Sequence, residues 1–516
     1  MHTIRFRLKL AEYEKQELNK RFRIVWHMHN ETVSFAQKRL NLLSRDRQYI
    51  DAMNSYVDAS KKLKAIGKKA RKGKDIRTRM AALSKQKKEA SAILNARISF
   101  YGLTKTDFDR FVSVMQKKNS KLISSQQAQK EAERVLAGVE KVLYGNGKHV
   151  RMKRLSDQKT ISQKCATNGV KIDLSSGIAT WGEMSMHMDI DFSDLYVRES
   201  LSGSLKYATI QRLPFQNGYH YYVILTLDGP APRKTKVSNK DGMTGIDPGM
   251  STIAAASEQS VVLEELAPKA KAYEKQIARQ QRLVDADMRR DNPDNYKADG
   301  TIKKGKHKWV LSKGCLRRKQ KIRVLNRKKT ASTKDSHNKL INKLIEKNGP
   351  YFIAEEMDYA ALKKRSKAKA QRRTTPAVIK QKDGTEKTIF KYKRKRRFGC
   401  SVNSRSPGLF LIRLAQKAQI YGGDLAFVNT REFRASQYRH DTKKYIKVPL
   451  SDRWKTIEDH KVQRDLYSAF LILCSDVSGK APDNDKCNAL FQKFVLMHDQ
   501  FVSKTKSMPH PACFGY

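Results

Sequence analysis

The first residues alternate cleanly. Ile4, Phe6, Leu8 and Leu10 fall on one face and Arg5, Arg7 and Lys9 on the other, the period of a half-buried strand with a basic outer face. From about Glu12 to Gly145 the apolar period becomes helical. The clearest case runs from Ser124-Ser125, an N-cap pair, to Gly145, with Val135, Leu136, Val139, Val142 and Leu143 as its stripe. Basic interruptions such as residues 68–74 separate these helices. Strands return near Val170. The segments 170–174 and 178–181 flank Ser175-Ser176-Gly177, and 207–213 and 219–227 flank Asn217-Gly218; both are hairpin signatures. One strand, then helices, then more strands predicts a β-barrel carrying a helical insertion. Residues 228–234 close that part as a turn-rich linker.

The second half opens on an apolar strand from Met243 that ends at Asp247 and turns at Pro248-Gly249. A returning strand through Thr252 to Ala255 and a third at Val261 to Leu263 follow. A long basic stretch, 269–347, is broken at 291–295 and at Asp299-Gly300, and is largely helical from Leu311 to Lys347. Tyr351 to Ala354 form a short, fully apolar strand that runs into Glu355-Glu356. Residues 363–397 are basic and poor in apolar positions, with a hairpin turn expected at Asp383-Gly384. A helix from Ser406 to Tyr421, a strand over 424–428, a helix over 462–475 with Asp465 in its first turn, and a helix over 484–502 complete the pattern.

Charge changes the picture most. Lys and Arg number 106 against 51 Asp and Glu in 516 residues, a net charge of +55. So much like charge repels itself in a folded chain and implies a polyanionic partner. It is spread along the whole length, which favours a protein wrapped around nucleic acid over one with a basic arm. Within 311–347, Arg317, Arg318, Lys319, Lys321, Arg323, Arg327 and Lys328 are too dense for one solvated face, so this helix is expected to touch nucleic acid. Val324, Leu325, Leu340, Ile341, Leu344 and Ile345 argue against a disordered linker. No run reaches the roughly 20 apolar residues that span a bilayer, so no membrane partner is expected. Six scattered cysteines without a CxxC pair imply a reduced, cytoplasmic protein with no recognisable zinc site.

Three acids carry the candidate chemistry. Asp247 ends a strand followed by a hairpin, Glu355 ends a later strand, and Asp465 opens a helix. Each has an ordinary reading: Asp-Pro-Gly favours turns, Glu355 is one of two adjacent acids at a strand end, and an acid suits a helix N-terminus. Taken in order they match an RNase H-like plan, a mixed sheet flanked by helices. Acids converging from separate elements are what two divalent ions need to activate a water and stabilise a leaving oxygen in phosphodiester hydrolysis.

The same segments resemble TnpB, a family of transposon-encoded RNA-guided nucleases related to the type V CRISPR effectors. Gly245-Ile-Asp-Pro-Gly249 matches its first RuvC motif, Ile353-Ala-Glu-Glu-Met357 the second, and Gln463-Arg-Asp-Leu-Tyr-Ser-Ala-Phe-Leu-Ile472 the third. Arg397-Phe398-Gly399 with the Ser406-Pro407 helix, and Tyr221 to Gly229 as the last strand of a wedge domain, also fit. Two departures stand out. Tyr467 occupies a position where the family has Asn, and the segment 435–461 lacks the four cysteines of the family's zinc ribbon. Its frame persists in Leu450, Arg453 and Trp454, so a ribbon-like hairpin without zinc is expected.

The resemblance implies α/β architecture with all-α and β-barrel parts: an RNase H-like (RuvC) nuclease domain preceded by a wedge-type β-barrel with a helical insertion. The boundaries expected are 1–11 and 166–234 for the barrel, 12–165 for the helical lobe, 240–434 for the nuclease core, 435–461 for the hairpin and 462–516 for the third motif and tail. It implies an RNA-guided DNA endonuclease using two Mg2+ ions, with Mn2+ as a substitute. Asp247 would bridge both ions, Glu355 and Asp465 would each complete one, and Arg453 would assist at the cleaved phosphate or form a salt bridge. The expected partners are a structured guide RNA and target DNA, with one copy of the chain per RNA in a prokaryotic, nucleoid-associated setting. A compact type V CRISPR effector, a nuclease-dead RNA-guided repressor and an unguided transposase or resolvase are the competing readings.

Overall fold

The computed structural model describes residues 1–66, 74–233, 236–363, 377–380, 386–389, 399–449, 451–507 and 514–515. The interruption at 68–73, most of the 363–397 insertion with its Asp383-Gly384 turn, and Leu450 lie outside the described residues. Contacts divide the chain into two compact units, Met1–Pro232 and Arg233–Tyr516.

In the first unit, β1 (His2–Lys9) leads into α1 (Glu12–Leu43), α2 (Arg47–Ile66), α3 (Lys74–Phe100), α4 (Lys105–Lys117) and α5 (Ser125–Leu143). The chain then forms β2 (Thr160–Ser162), β3 (Lys171–Asp173), β4 (Ile178–Trp181), β5 (Met184–Asp189), α6 (Leu195–Leu201), β6 (Leu205–Phe215) and β7 (Gly218–Leu227). The helices are an insertion after the first strand, because β1 lies centrally in one antiparallel sheet ordered β2-β6-β7-β1-β5-β4-β3. The expected β-barrel takes the form of an open antiparallel sheet. Its edges, β2 and β3, are three residues each and do not pair with one another, so the sheet stays open. The inserted helices share a core with the sheet. Phe22, Val25, Val135 and Val139 from the helices share one buried cluster with Phe6, Ile210 and Val223 from the sheet. Ser124 caps α5 as its sequence implies, its side chain accepting from the Gln127 amide.

The second unit begins with β8 (Met243–Pro248), β9 (Thr252–Ser257) and β10 (Val261–Glu265), followed by α7 (Ala270–Asp291) and α8 (Lys313–Asn348). Then come β11 (Tyr351–Glu355), α9 (Tyr359–Lys363), the antiparallel pair β12 (Ala377–Lys380) and β13 (Glu386–Ile389), α10 (Gly399–Arg405), α11 (Pro407–Ile420) and β14 (Leu425–Val428). The chain ends with α12 (Thr430–Phe433), β15 (Tyr438–Arg439), β16 (Lys444–Tyr445), β17 (Trp454–Ile457), β18 (His460–Gln463), α13 (Arg464–Leu473) and α14 (Asn484–Lys506). Five strands form a mixed sheet ordered β10-β9-β8-β11-β14, antiparallel from β10 to β8 and parallel from β8 to β14.

Both faces of that sheet are covered, which is why its strands read as apolar throughout. Ile246, Ile253, Ala255, Val262, Phe352 and Ala354 pack with Leu340, Ile341 and Leu344 of α8 and Phe410 and Leu414 of α11. The alternate residues, among them Ala254, Ala256, Val261 and Leu263, pack with Leu466, Tyr467 and Phe470 of α13 and Phe491 and Phe494 of α14. Gly245 lies on this second face. A Cβ there would overlap the Ala469 carbonyl and the Leu473 amide, so the glycine lets α13 rest directly on β8.

Two further expectations change. Residues 460–463 are a strand, and the helix begins only at Arg464. The single ribbon-like hairpin is two small hairpins, β15–β16 and β17–β18. The second turns on Glu458 and Asp459, whose φ angles of 45° and 65° are the left-handed pair that a two-residue hairpin demands. Residues 514–515 return to cover it, with Trp454 Nε1 donating to the Gly515 carbonyl at 2.8 Å.

Candidate active site

Strand period and register bring the acids together. Side chains two apart on a strand share a face, so Asp247 follows Gly245 and Glu355 follows Ile353 toward the α13 side of the sheet. Strands β8 and β11 run parallel with Ile246 beside Ala354. The next residues, Asp247 and Glu355, therefore end adjacent strands at the same edge. Glu355 is buried, at 8% exposure, whereas Glu356 is exposed. Asp465 sits in the first turn of α13, held above this edge by the close α13–β8 packing.

Electrostatics record their proximity. Asp247 keeps an accessible edge, but the surrounding protein strips most of its hydration. Burial pushes its carboxyl far above the usual range, and the charges of Glu355 and Asp465 push the same way, opposed by Arg464 and Lys455. Burial likewise pushes Glu355 up to about 7, against a stabilising hydrogen bond from the Ala435 amide. Asp465 is compensated: Arg464 Nη2 lies 3.0 Å from its Oδ1 and Arg453 Nη1 3.3 Å from its Oδ2. Arg453 is thus seen here as an ion-pair partner of Asp465.

Sequence reasoning missed three neighbours. Arg464 was visible only as the residue before Asp465; besides pairing with Asp465 it donates to the Asp452 carbonyl at 3.1 Å. Lys455 is buried beside the acids, where burial, reinforced by Arg464 and Arg439, lowers its ammonium to about 8. Nothing marks it in a strand of ordinary alternation. Tyr359 feels Asp247 and Glu355, and burial raises its phenol; its hydroxyl has no hydrogen-bond partner among the described residues. Gly408 leaves room for that ring, since a Cβ there would stand 3.2 Å from Tyr359 Cδ2.

Among the described residues, no group of three or more His, Cys, Asp or Glu side chains is arranged around a single ion. The donor set instead suits ions that each share only two carboxylates. Asp247 feels the charges of both Glu355 and Asp465, and all three are oxygen donors.

The basic residues singled out on α8 have different surroundings. Arg317, Lys321, Arg323 and Lys328 are exposed. Arg318 instead pairs with Asp287 of α7, Lys319 Nζ meets Met288 Sδ of the same helix at 3.6 Å, and Arg327 is half-buried. No helix of the described residues is long and apolar enough to cross a membrane.

No protein-family model matches the chain, and no curated protein matches it significantly. Among solved structures, it is similar to the cryo-EM structure of a Cas12f1-sgRNA-target DNA complex. That likeness has 10% identity and a TM-score of 0.42, over 91% of this chain and 97% of that one. A second, the cryo-EM structure of a CRISPR-Cas12f ternary complex, is similar at 10% identity and a TM-score of 0.24, over 92% and 98% of the two chains.

Proposed function

We propose that the chain is an RNA-guided DNA endonuclease of the TnpB or compact type V kind, hydrolysing phosphodiesters at Asp247, Glu355 and Asp465. The observation that carries this reading is the placement of Asp247 and Glu355 on adjacent parallel strand ends close to Asp465 on α13, where burial first and the neighbouring carboxylates second raise Asp247. Carboxylates gathered with shifted pKa values at one sheet edge are costly to bury, which favours a functional over a purely stabilising cluster. Asp247 would be shared by two divalent ions, with Glu355 completing one site and Asp465 the other. When bound, these ions would activate water and stabilise the leaving oxygen. The chain's own part is to hold the three carboxylates on rigid elements and to keep Arg453, Arg464 and Lys455 beside them. These cations balance the acids and stand ready to meet a phosphate. The exposed cations of α8 and the net charge of +55 supply the electrostatic grip on guide RNA and DNA. Guide pairing, not the protein, would set sequence choice.

The test is to sequence RNA that co-purifies with the chain and to offer DNA matching its guide in the presence of magnesium. Cleavage by the wild type, and RNA-directed binding without cleavage by Asp247→Ala, is the expected result. Equal cutting by both would remove Asp247 from the site, and co-purifying RNA without a discrete guide would favour an unguided enzyme. Retention of all three acids close together at one edge of the sheet speaks against a nuclease-dead repressor.

A further inference from the structure

The two departures from the TnpB pattern touch each other. Tyr467, fully buried on α13, points its hydroxyl at His440, which lies between β15 and β16 and is 1% exposed. The His440 amide donates to Tyr467 Oη at 3.1 Å, and His440 Nδ1 lies 2.7 Å from the same oxygen. Tyr467 Oη thus accepts from the amide and shares one hydrogen with Nδ1, and the remaining ring nitrogen is Nε2. That nitrogen faces Glu458 Oε1, 3.3 Å away in the β17–β18 turn. The imidazole also lies against Phe491 of α14, with ring centroids 4.6 Å apart. One histidine therefore meets both hairpins, the helix that bears Asp465, and the helix behind it.

The hairpins joined in this way carry site residues. Arg453 and Lys455 begin the β17 hairpin, and Lys455 Nζ lies 5.4 Å from the Tyr467 ring centroid while donating to the Ser436 carbonyl at 2.8 Å. Ala435, which donates its amide to Glu355, lies just before β15.

We infer that Tyr467 and His440 form a cysteine-free clasp that seats the 435–463 segment on α13 and so positions Arg453 and Lys455 against the acids. Both are positioning residues; neither touches the acids themselves. The kinetic consequence rests on the nuclease reading above, whereas the structural one does not.

The test is Tyr467→Phe in the full chain, read by hydrogen exchange and by cleavage kinetics. Removing one oxygen strands two buried nitrogens of His440. Amides of 438–445 and 454–463 should exchange about tenfold faster, with β8 and β11 unchanged. The kcat for DNA cleavage should fall about tenfold with KM unaltered, because the proposed grip on nucleic acid belongs to the exposed cations of α8 and the clasp acts only at the acids. Tyr438→Phe is the control, because it removes a hydroxyl bonded to Asn484 instead; it should leave kcat alone. If Tyr467→Phe does not fold, the pair His440→Asn and His440→Ala replaces it: Asn keeps an acceptor near the Nδ1 position and should retain most activity, while Ala should lose it. Wild-type exchange and kcat in Tyr467→Phe, or a loss spread evenly over β8 and β11, would overturn the clasp. If the wild type cuts no DNA, the nuclease reading fails while the exchange measurement still decides the clasp.

Discussion

At the scale of single residues, the site is legible as chemistry but not as environment. The order of Asp247, Glu355 and Asp465 can be read from motifs; that Glu355 is buried and Glu356 exposed depends on the sheet face, which pairing with β8 fixes. Burial has a measurable price at Glu355. Its carboxyl rises from an ordinary 4.5 to about 7 on folding. The protonated form is therefore the one that folding favours, so the associated stability is complete below about pH 4.5 and is lost as pH rises through 7. Over that range the loss amounts to about 3 kcal/mol. In EDTA, Glu355→Gln should melt higher than wild type at pH 8 and like it at pH 4.5; parallel pH profiles would refute the burial argument. Gly245 makes a second residue-scale prediction. Gly245→Ala forces a methyl into the backbone of α13 and should cost about 3 kcal/mol in a urea titration, or prevent folding altogether.

At the scale of elements, α8 shows why a density of charge is not yet an interface. Sequence alone makes every Arg and Lys of 317–328 a candidate for phosphate contact. The packing of α7 on α8 removes some of them. Asp287 on α7 is buried, at 4% exposure, and Arg318 and Arg290 balance it. Arg318→Ala should therefore destabilise the chain by about 2 kcal/mol in chemical denaturation. Arg317→Ala, one position earlier and exposed, should leave stability unchanged and lower the salt slope of RNA binding by about 1. A swap of these two outcomes would mean that the helix pair is rotated from the arrangement seen here. The cysteine-free segment teaches the same lesson. Two hairpins replaced the expected one because Glu458-Asp459 forms its own tight turn, and the helix starts two residues later than its apolar period because β18 takes Val462 and Gln463 first.

At the scale of the whole molecule, the charge of +55 is a property that no single contact expresses. Affinity for RNA should fall by about a thousandfold or more between 50 and 200 mM salt if six or more phosphates are neutralised, as filter binding would report. A flat response would contradict a chain wrapped in nucleic acid.

The sequence by itself determined the periods of the strands and helices, the order of the three acids along the chain, and a net charge that calls for a polyanionic partner. These are local or additive quantities: alternation, motif spacing and net charge do not depend on which elements meet. Tertiary structure alone decided that the first sheet stays open, that the helical insertion shares its core, and that Arg318 faces Asp287. It also decided that Lys455 lies among the acids and that Tyr467 meets His440 across 27 positions of chain. Each of these is a contact between residues far apart in sequence, set by packing that no local pattern encodes.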